Sequence, residues 1–162
     1  MKILILGYGS AGRKHAKILS KLVKNSKIFF LTKQKKCKYP KISNFYKIKL
    51  LNPDYVIISK PTSEHEKYLK LIEKNLKGVK VLIEKPAYVK NKKLVLKKNH
   101  YFVGYNLRFD PVLKKIKTFI KNKTIWDINI ACTSFLPNWR KNIEYNKSSS
   151  AKKNIMVGFY MI

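Results

Sequence analysis

The chain has 162 residues, 45% of them hydrophobic, with 37 Lys and Arg against 8 Asp and Glu. That length suits one domain, or one domain and part of another, with enough apolar residues for a core. No apolar run approaches the roughly 18 residues of a membrane span. The opening MKILILG lacks the roughly 7–15-residue apolar stretch of a signal peptide, so no membrane partner and a cytoplasmic setting are expected.

The net charge of +29 invites a polyanion partner. However, Arg13, Arg108 and Arg140 are the only arginines, and Lys is spread over the whole chain together with abundant Asn and Ile. Those three residue types share A/T-rich codons, so base composition is the favoured account of the charge and no specific nucleic-acid partner is expected, a polyanion-binding basic protein being the alternative. Cys37 and Cys132 are isolated, which fits neither a disulfide framework nor a metal site.

In chain order, Lys2–Leu6 reads as a short apolar strand, and residues 10–24 as a helix with Ala11, His15, Ile18, Leu19 and Leu22 at helical spacing. Lys27–Thr32 is a β-rich run, Asn44–Lys49 a short turn or strand, and Asp54–Ser59 another buried-strand pattern. Glu64–Leu76 is helical, with His65, Tyr68, Leu69, Ile72 and Leu76 on one face; Val79–Glu84 and Tyr101–Tyr105 are strands, and Asn91–Asn99 is at best a short basic helix. Asp110-Pro111 has the form of a helix start, Asp as N-cap and Pro in the first position. Val112, Leu113, Ile116, Phe119 and Ile120 give that helix an apolar face, and Trp126–Ser134 reads as a further strand. Strands alternating with helices imply βαβ units and a Rossmann-type, doubly wound parallel α/β sheet.

The stretch Gly7-Tyr8-Gly9-Ser10-Ala11-Gly12 directly follows the first strand and opens the first helix, the context that gives G-x-G-x-x-G its meaning. Gly7 permits the tight turn, Gly9 lets the backbone approach a pyrophosphate, and Gly12 lets helix and strand pack closely. About 20 residues further on, NAD sites carry an acid for the ribose 2′-OH. Here the second strand ends in Thr32-Lys33-Gln34-Lys35-Lys36. A hydroxyl and several cations suit a 2′-phosphate, so Thr32, Lys33 and Lys35 point to NADP, with NAD possible.

Three more stretches carry a resemblance: Pro61-Thr62-Ser63-Glu64-His65 after the third strand pattern, Glu84-Lys85-Pro86 after the fourth, and Gly104-Tyr105-Asn106-Leu107-Arg108-Phe109 after the fifth. Together with the opening G-x-G-x-x-G-x-x-H, the chain resembles the Gfo/Idh/MocA oxidoreductases. Leu136-Pro137-Asn138-Trp139-Arg140 is also similar to a segment of some members. The resemblance implies nicotinamide-dependent hydride transfer at a hydroxyl-bearing carbon of a sugar or sugar derivative. Glu84, Lys85 and Pro86 would line the nicotinamide end of the cleft, with Lys85 sharing the proton of the reacting hydroxyl. Pro61 and Thr62 would border the cofactor, and His65 of the same motif is counted with them. The position of His65 on the inner face of its helix, like that of His15, suits packing, since neither has an evident acidic partner. Tyr105, Asn106 and Arg108 would lie on the substrate side.

The resemblance further implies a dinucleotide-binding domain over residues 1–107 and the incomplete start of a second α/β domain over 108–162. The family's later G-G-V-L-x-D-x-x-x-H segment, with its Asp and catalytic His, is absent from the open frame. The family's homo-oligomer interface is therefore expected to be missing, and catalysis by this chain is in doubt. Shifting the frame of Met156–Ile162 to the third base of the Met156 codon allows G-G-V-L-(Y/H)-D, with its Gly, Leu and Asp forced by the code. On that basis the tail is expected to be a frameshift product and the chain a nucleotide-binding remnant.

Overall fold

The computed structural model describes residues 1–89, 94–131 and 133. The chain divides into two compact units, the first running from Met1 to Gly104 and the second starting at Tyr105. In the first unit, β1 (Lys2–Leu6), α1 (Ser10–Leu22), β2 (Lys27–Leu31), β3 (Lys41–Ile42), α2 (Lys47–Leu51), β4 (Tyr55–Ile58), α3 (Thr62–Asn75), β5 (Lys80–Ile83) and β6 (His100–Val103) follow one another. The six strands form one sheet in the order β3-β2-β1-β4-β5-β6, and every pairing is parallel.

A parallel sheet with crossovers is covered on both faces, so its inner strands are apolar at every position. Ile3, Leu4, Ile5 and Leu6 of β1 are fully buried. Ile3 and Ile5 join Phe30, Ile57 and Ala16 of α1 on one face, while Leu4 and Leu6 join Val56, Ile58 and α3's Tyr68, Leu69 and Ile72 on the other. Chain order reverses beside β1, with β2 on one flank and β4 on the other. In open α/β sheets that reversal is where ligands sit, at the carboxyl ends of the strands.

Three sequence expectations change. Of residues 44–49, expected as a turn or strand, 44–46 form a bend and turn while Lys47 begins α2, whose Ile48 is fully buried, and the short strand lies earlier, at Lys41–Ile42. Residues 94–99 lead into β6 without a helix. Residues 126–131 form no strand, and Trp126, Ile128 and Ile130 are exposed. The segment has β-forming residues, but among the described residues no partner strand supplies the ladder that such a run needs. The remaining residues of that expected strand, the Leu136–Arg140 segment and the shifted-frame tail lie outside the described residues.

In the second unit, a 3-10 turn over Asn106–Phe109 precedes α4 (Pro111–Ile120). Asp110 caps α4 as expected: its Oδ1 accepts from the N–H groups of Val112 and Leu113, at 2.9 and 3.1 Å. The α4 residues Val112, Leu113, Ile116 and Phe119 are exposed.

Candidate functional site

The glycine loop closes the C-terminal end of β1. Gly7 has φ +105°, and a Cβ there would stand 2.8 Å from the Ser59 carbonyl oxygen. Both facts demand glycine, because L side chains avoid that region and the neighbouring strand leaves no room. Gly12 lies in the first turn of α1, where a Cβ would run into the Gly7 carbonyl oxygen and meet Ser59 Oγ at 2.8 Å. The Ser59 hydroxyl braces the turn, lying 3.0 Å from the Leu6 carbonyl and 3.1 Å from that of Gly7. Gly9 differs, for a Cβ there would meet nothing within 4 Å. It is the N-cap of α1 and makes no side-chain capping bond, and the first turn holds no acid. The helix therefore starts beside open space with no side-chain cap for its first N–H groups, an arrangement that suits a phosphate.

Tyr8 contributes backbone to this loop while its ring turns inward. The ring is buried edge-on against Phe30 at 4.8 Å, with the Arg13 guanidinium 5.8 Å from its centre. At the end of β2, Thr32 Oγ1 accepts from the Gln34 N–H at 3.2 Å, shaping the turn that exposes Lys33 and Lys35. Pro61 and Thr62 open α3 at the end of β4, with Thr62 buried. His65 is buried with both ring nitrogens engaged. Nε2 is 2.8 Å from the Lys60 carbonyl and Nδ1 3.2 Å from that of Ala87. It thereby ties the ends of β4 and β5 together from inside the packing, so its ring acts on the site through the backbone it holds.

Glu84, Lys85 and Pro86 follow β5 directly, and the Lys85–Pro86 peptide is cis. Lys85 is exposed. Glu84 is half-buried, and its Oε1 stands 2.5 Å from His15 Nε2. The expectation that His15 lacks an acidic partner is thus corrected. No spacing along the chain marks this partner, because 69 residues separate the two and only the sheet order brings them together. The hydrogen bond from His15 holds the Glu84 carboxyl below its usual range, against the opposing effect of burial. Tyr105, Asn106 and Arg108 belong to the second unit, at and within its 3-10 turn.

The Glu73 clamp and the cleft beside β2 went unseen in the sequence. Glu73 of α3 accepts from the Lys97 and Lys98 N–H groups at 2.6 and 2.7 Å and from the Tyr101 hydroxyl at 2.7 Å, fixing the approach to β6. The cleft, about 190 Å³, opens beside the end of β2 between the segment before α2 and α3.

Sheet order, helix placement and the glycine turn together define a Rossmann-type α/β domain. The sequence model of the Gfo/Idh/MocA group, described as an oxidoreductase family with an NAD-binding Rossmann fold, matches residues 1–95, more than half of the chain, and the chain belongs to this family. Among solved structures, the WlbA dehydrogenase from Bordetella pertussis, in complex with NADH and UDP-GlcNAcA, is similar with a TM-score of 0.63 at 16% identity, over 74% of this chain and 41% of that one. The myo-inositol 2-dehydrogenase from Lactobacillus plantarum is similar with a TM-score of 0.63 at 19% identity, over 75% of this chain and 41% of that one. The UDP-N-acetylglucosamine 3-dehydrogenase GnnA from Acidithiobacillus ferrooxidans reaches a TM-score of 0.55 at 21% identity, over 74% and 43%. The chain spans about two fifths of the length of these structures. A comparison with curated proteins finds no match. No helix among the described residues is long and apolar enough to cross a membrane.

Proposed function

We propose that this chain binds a nicotinamide dinucleotide along the carboxyl ends of β1, β4 and β5, NADP in preference to NAD, for hydride transfer at a hydroxyl-bearing carbon of a sugar or sugar derivative. The observation that carries the reading is the contrast within the glycine loop. Gly7 and Gly12 are closed against Ser59 and each other, while Gly9 faces open space at an uncapped helix start. A loop of merely structural glycines has no reason to leave that one position empty.

The backbone N–H groups of Ser10, Ala11 and Gly12 hold the pyrophosphate in this reading, and Pro61 and Thr62 border its path. Lys33 and Lys35, exposed at the end of β2 where an NAD site has its acid, favour a 2′-phosphate. The bound nicotinamide supplies the hydride acceptor or donor. Lys85 holds the proton of the reacting hydroxyl at Nζ and releases it to solvent or to a neighbouring base. What supports this role is its position directly after β5, exposed, beside a Glu84 carboxylate already engaged by His15. The dehydrogenases of similar fold that act on inositol and nucleotide sugars support the substrate class.

The test is a fluorescence titration of NADPH and NADH with the purified chain. Saturable binding of both, NADPH the tighter, is expected. Absence of saturable binding by either overturns the reading.

A further inference from the structure

The second unit presents an apolar face that nothing among the described residues covers. Along α4, Val112, Ile116 and Phe119 follow one another at helical spacing with Leu113 beside them, and Val112 and Phe119 are 65% and 69% exposed. Lys114, Lys117 and Lys121 form a strip of their own at the same kind of spacing, and all three are exposed. Residues 105–131 carry Arg108, Lys114, Lys115, Lys117, Lys121 and Lys123 against only Asp110 and Asp127. Asp110 is committed to capping the helix. Cations also border the aromatic rings. Lys123 Nζ stands 3.4 Å from the centre of the Phe119 ring, and Lys114 Nζ and the Arg108 guanidinium lie 5.8 and 6.0 Å from that of Phe109. An apolar ring with a cation against it matches the boundary between hydrocarbon and anionic headgroups.

Charge and size select the occupant. A second copy would lay one row of lysines against another, and like charges brought together cost affinity. A ten-residue helix is also only about 15 Å long, too short a face for the roughly 800 Å² per partner of a stable protein interface. A bilayer needs no matching face, because apolar burial and attraction to anionic headgroups add along the helix. That no described helix crosses a membrane bears on spanning, not on lying at the surface.

We infer that α4 docks this chain on an anionic lipid surface, its apolar face at the acyl boundary and Lys114, Lys117 and Lys121 among the phosphates. The expectation of no membrane partner, made from the lack of a long apolar run, then holds for spanning only. The docking face belongs to the second unit and does not depend on the proposed dinucleotide site.

Co-sedimentation of the full chain with vesicles tests this, using phosphatidylcholine alone and its equimolar mixture with phosphatidylglycerol. Binding to the mixture, about tenfold or more tighter than to phosphatidylcholine alone and weakened by salt, is expected. A chain of charge +29 adheres to any anionic surface by charge alone, so the deciding variants leave the charge unchanged. Phe119→Ser should weaken binding to the mixture by about tenfold and Ile116→Ser by about threefold, as the loss of a buried apolar side chain requires. Leu50→Ser, on α2 in the first unit and 86% exposed, should change it by less than about twofold. Binding to neither vesicle overturns the inference. So does binding by Phe119→Ser and Ile116→Ser equal to that of the unmodified chain, or an equal loss in Leu50→Ser, since either result means adhesion by charge or by general stickiness. Sedimentation equilibrium adds one more outcome: an unmodified dimer that Phe119→Ser dissociates assigns the face to a second copy and overturns the inference as well.

Discussion

His15 Nε2 and Glu84 Oε1 stand 2.5 Å apart although 69 residues separate them in the chain. One belongs to the helix that starts at the glycine loop, the other to the turn that carries Lys85. The pair therefore joins the helix start proposed to bind the anion to the turn proposed to carry the proton chemistry. Because this hydrogen bond lowers the Glu84 pKa on folding, the pair contributes stability above the ordinary carboxylate range. That stability is lost as pH falls through the lowered value.

The His15→Ala variant should let the Glu84 carboxyl titrate closer to its ordinary range, as followed by carbon NMR of the side chain. Glu84→Gln should lower stability at neutral pH by about 1 kcal/mol and flatten the acid limb of the stability–pH curve. An unchanged Glu84 titration in His15→Ala would show that the contact has no energetic consequence.

Glycine positions separate structure from binding. Gly12→Ala should destabilise the domain by about 1–3 kcal/mol or more, as in an overpacked core, because its Cβ runs into the Gly7 backbone and meets the Ser59 hydroxyl. Gly9→Val should keep its melting temperature within a few degrees and lose NADPH binding. Thermal melts and the fluorescence titration together decide it, and a Gly9→Val chain that binds normally removes the loop from the site.

Lys85→Met should leave NADPH affinity within about twofold, since a residue that handles the substrate's proton need not hold the cofactor. A large loss of NADPH affinity in this variant would instead make Lys85 a cofactor ligand.

Reversing Lys33 and Lys35 to Glu should narrow or invert the preference for NADPH over NADH by about tenfold or more. The paired titrations measure the ratio directly, and an unchanged ratio removes the turn after β2 from cofactor selection.

The Glu73 clamp sets an acid limit. Burial acts to raise the Glu73 pKa, but the Tyr101 hydroxyl, the Lys98 and Lys97 N–H groups and the Asn99 amide outweigh it and hold the carboxyl at about 2. Its stabilising effect is present above the ordinary carboxylate pKa and is lost as pH falls toward 2. Glu73→Gln should lower stability at neutral pH by about 1 kcal/mol, since solvent screens this largely exposed carboxylate. It should also speed hydrogen exchange at residues 97–101, and unchanged exchange there would contradict the clamp.

Much of this domain was legible because its signals are local. KILIL before a glycine turn, DYVIIS before Pro-Thr, and Asp110-Pro111 each carry their structure within a few residues. What escaped depends on distant partners or on very short elements. The two-residue strand at Lys41–Ile42 and the five-residue helix at Lys47–Leu51 are too brief for any periodicity to emerge. The run from Trp126 has the composition of a strand, but composition cannot provide the neighbour that would make it one. His15 with Glu84, and Glu73 with residues 97–101, are meetings between stretches distant in the chain. No spacing along the chain announces them.

The contact between Gly12 and the Gly7 carbonyl has a consequence for the rate and entropy of capture. With strand end, turn and helix start wedged together and Ser59 bonded beneath them, the backbone donors of α1 hold their directions before any anion arrives. Little conformational freedom remains for a ligand to remove, so association needs no prior rearrangement of the loop, and the enthalpy of each N–H···O bond formed there goes into affinity without an offsetting loss of backbone entropy.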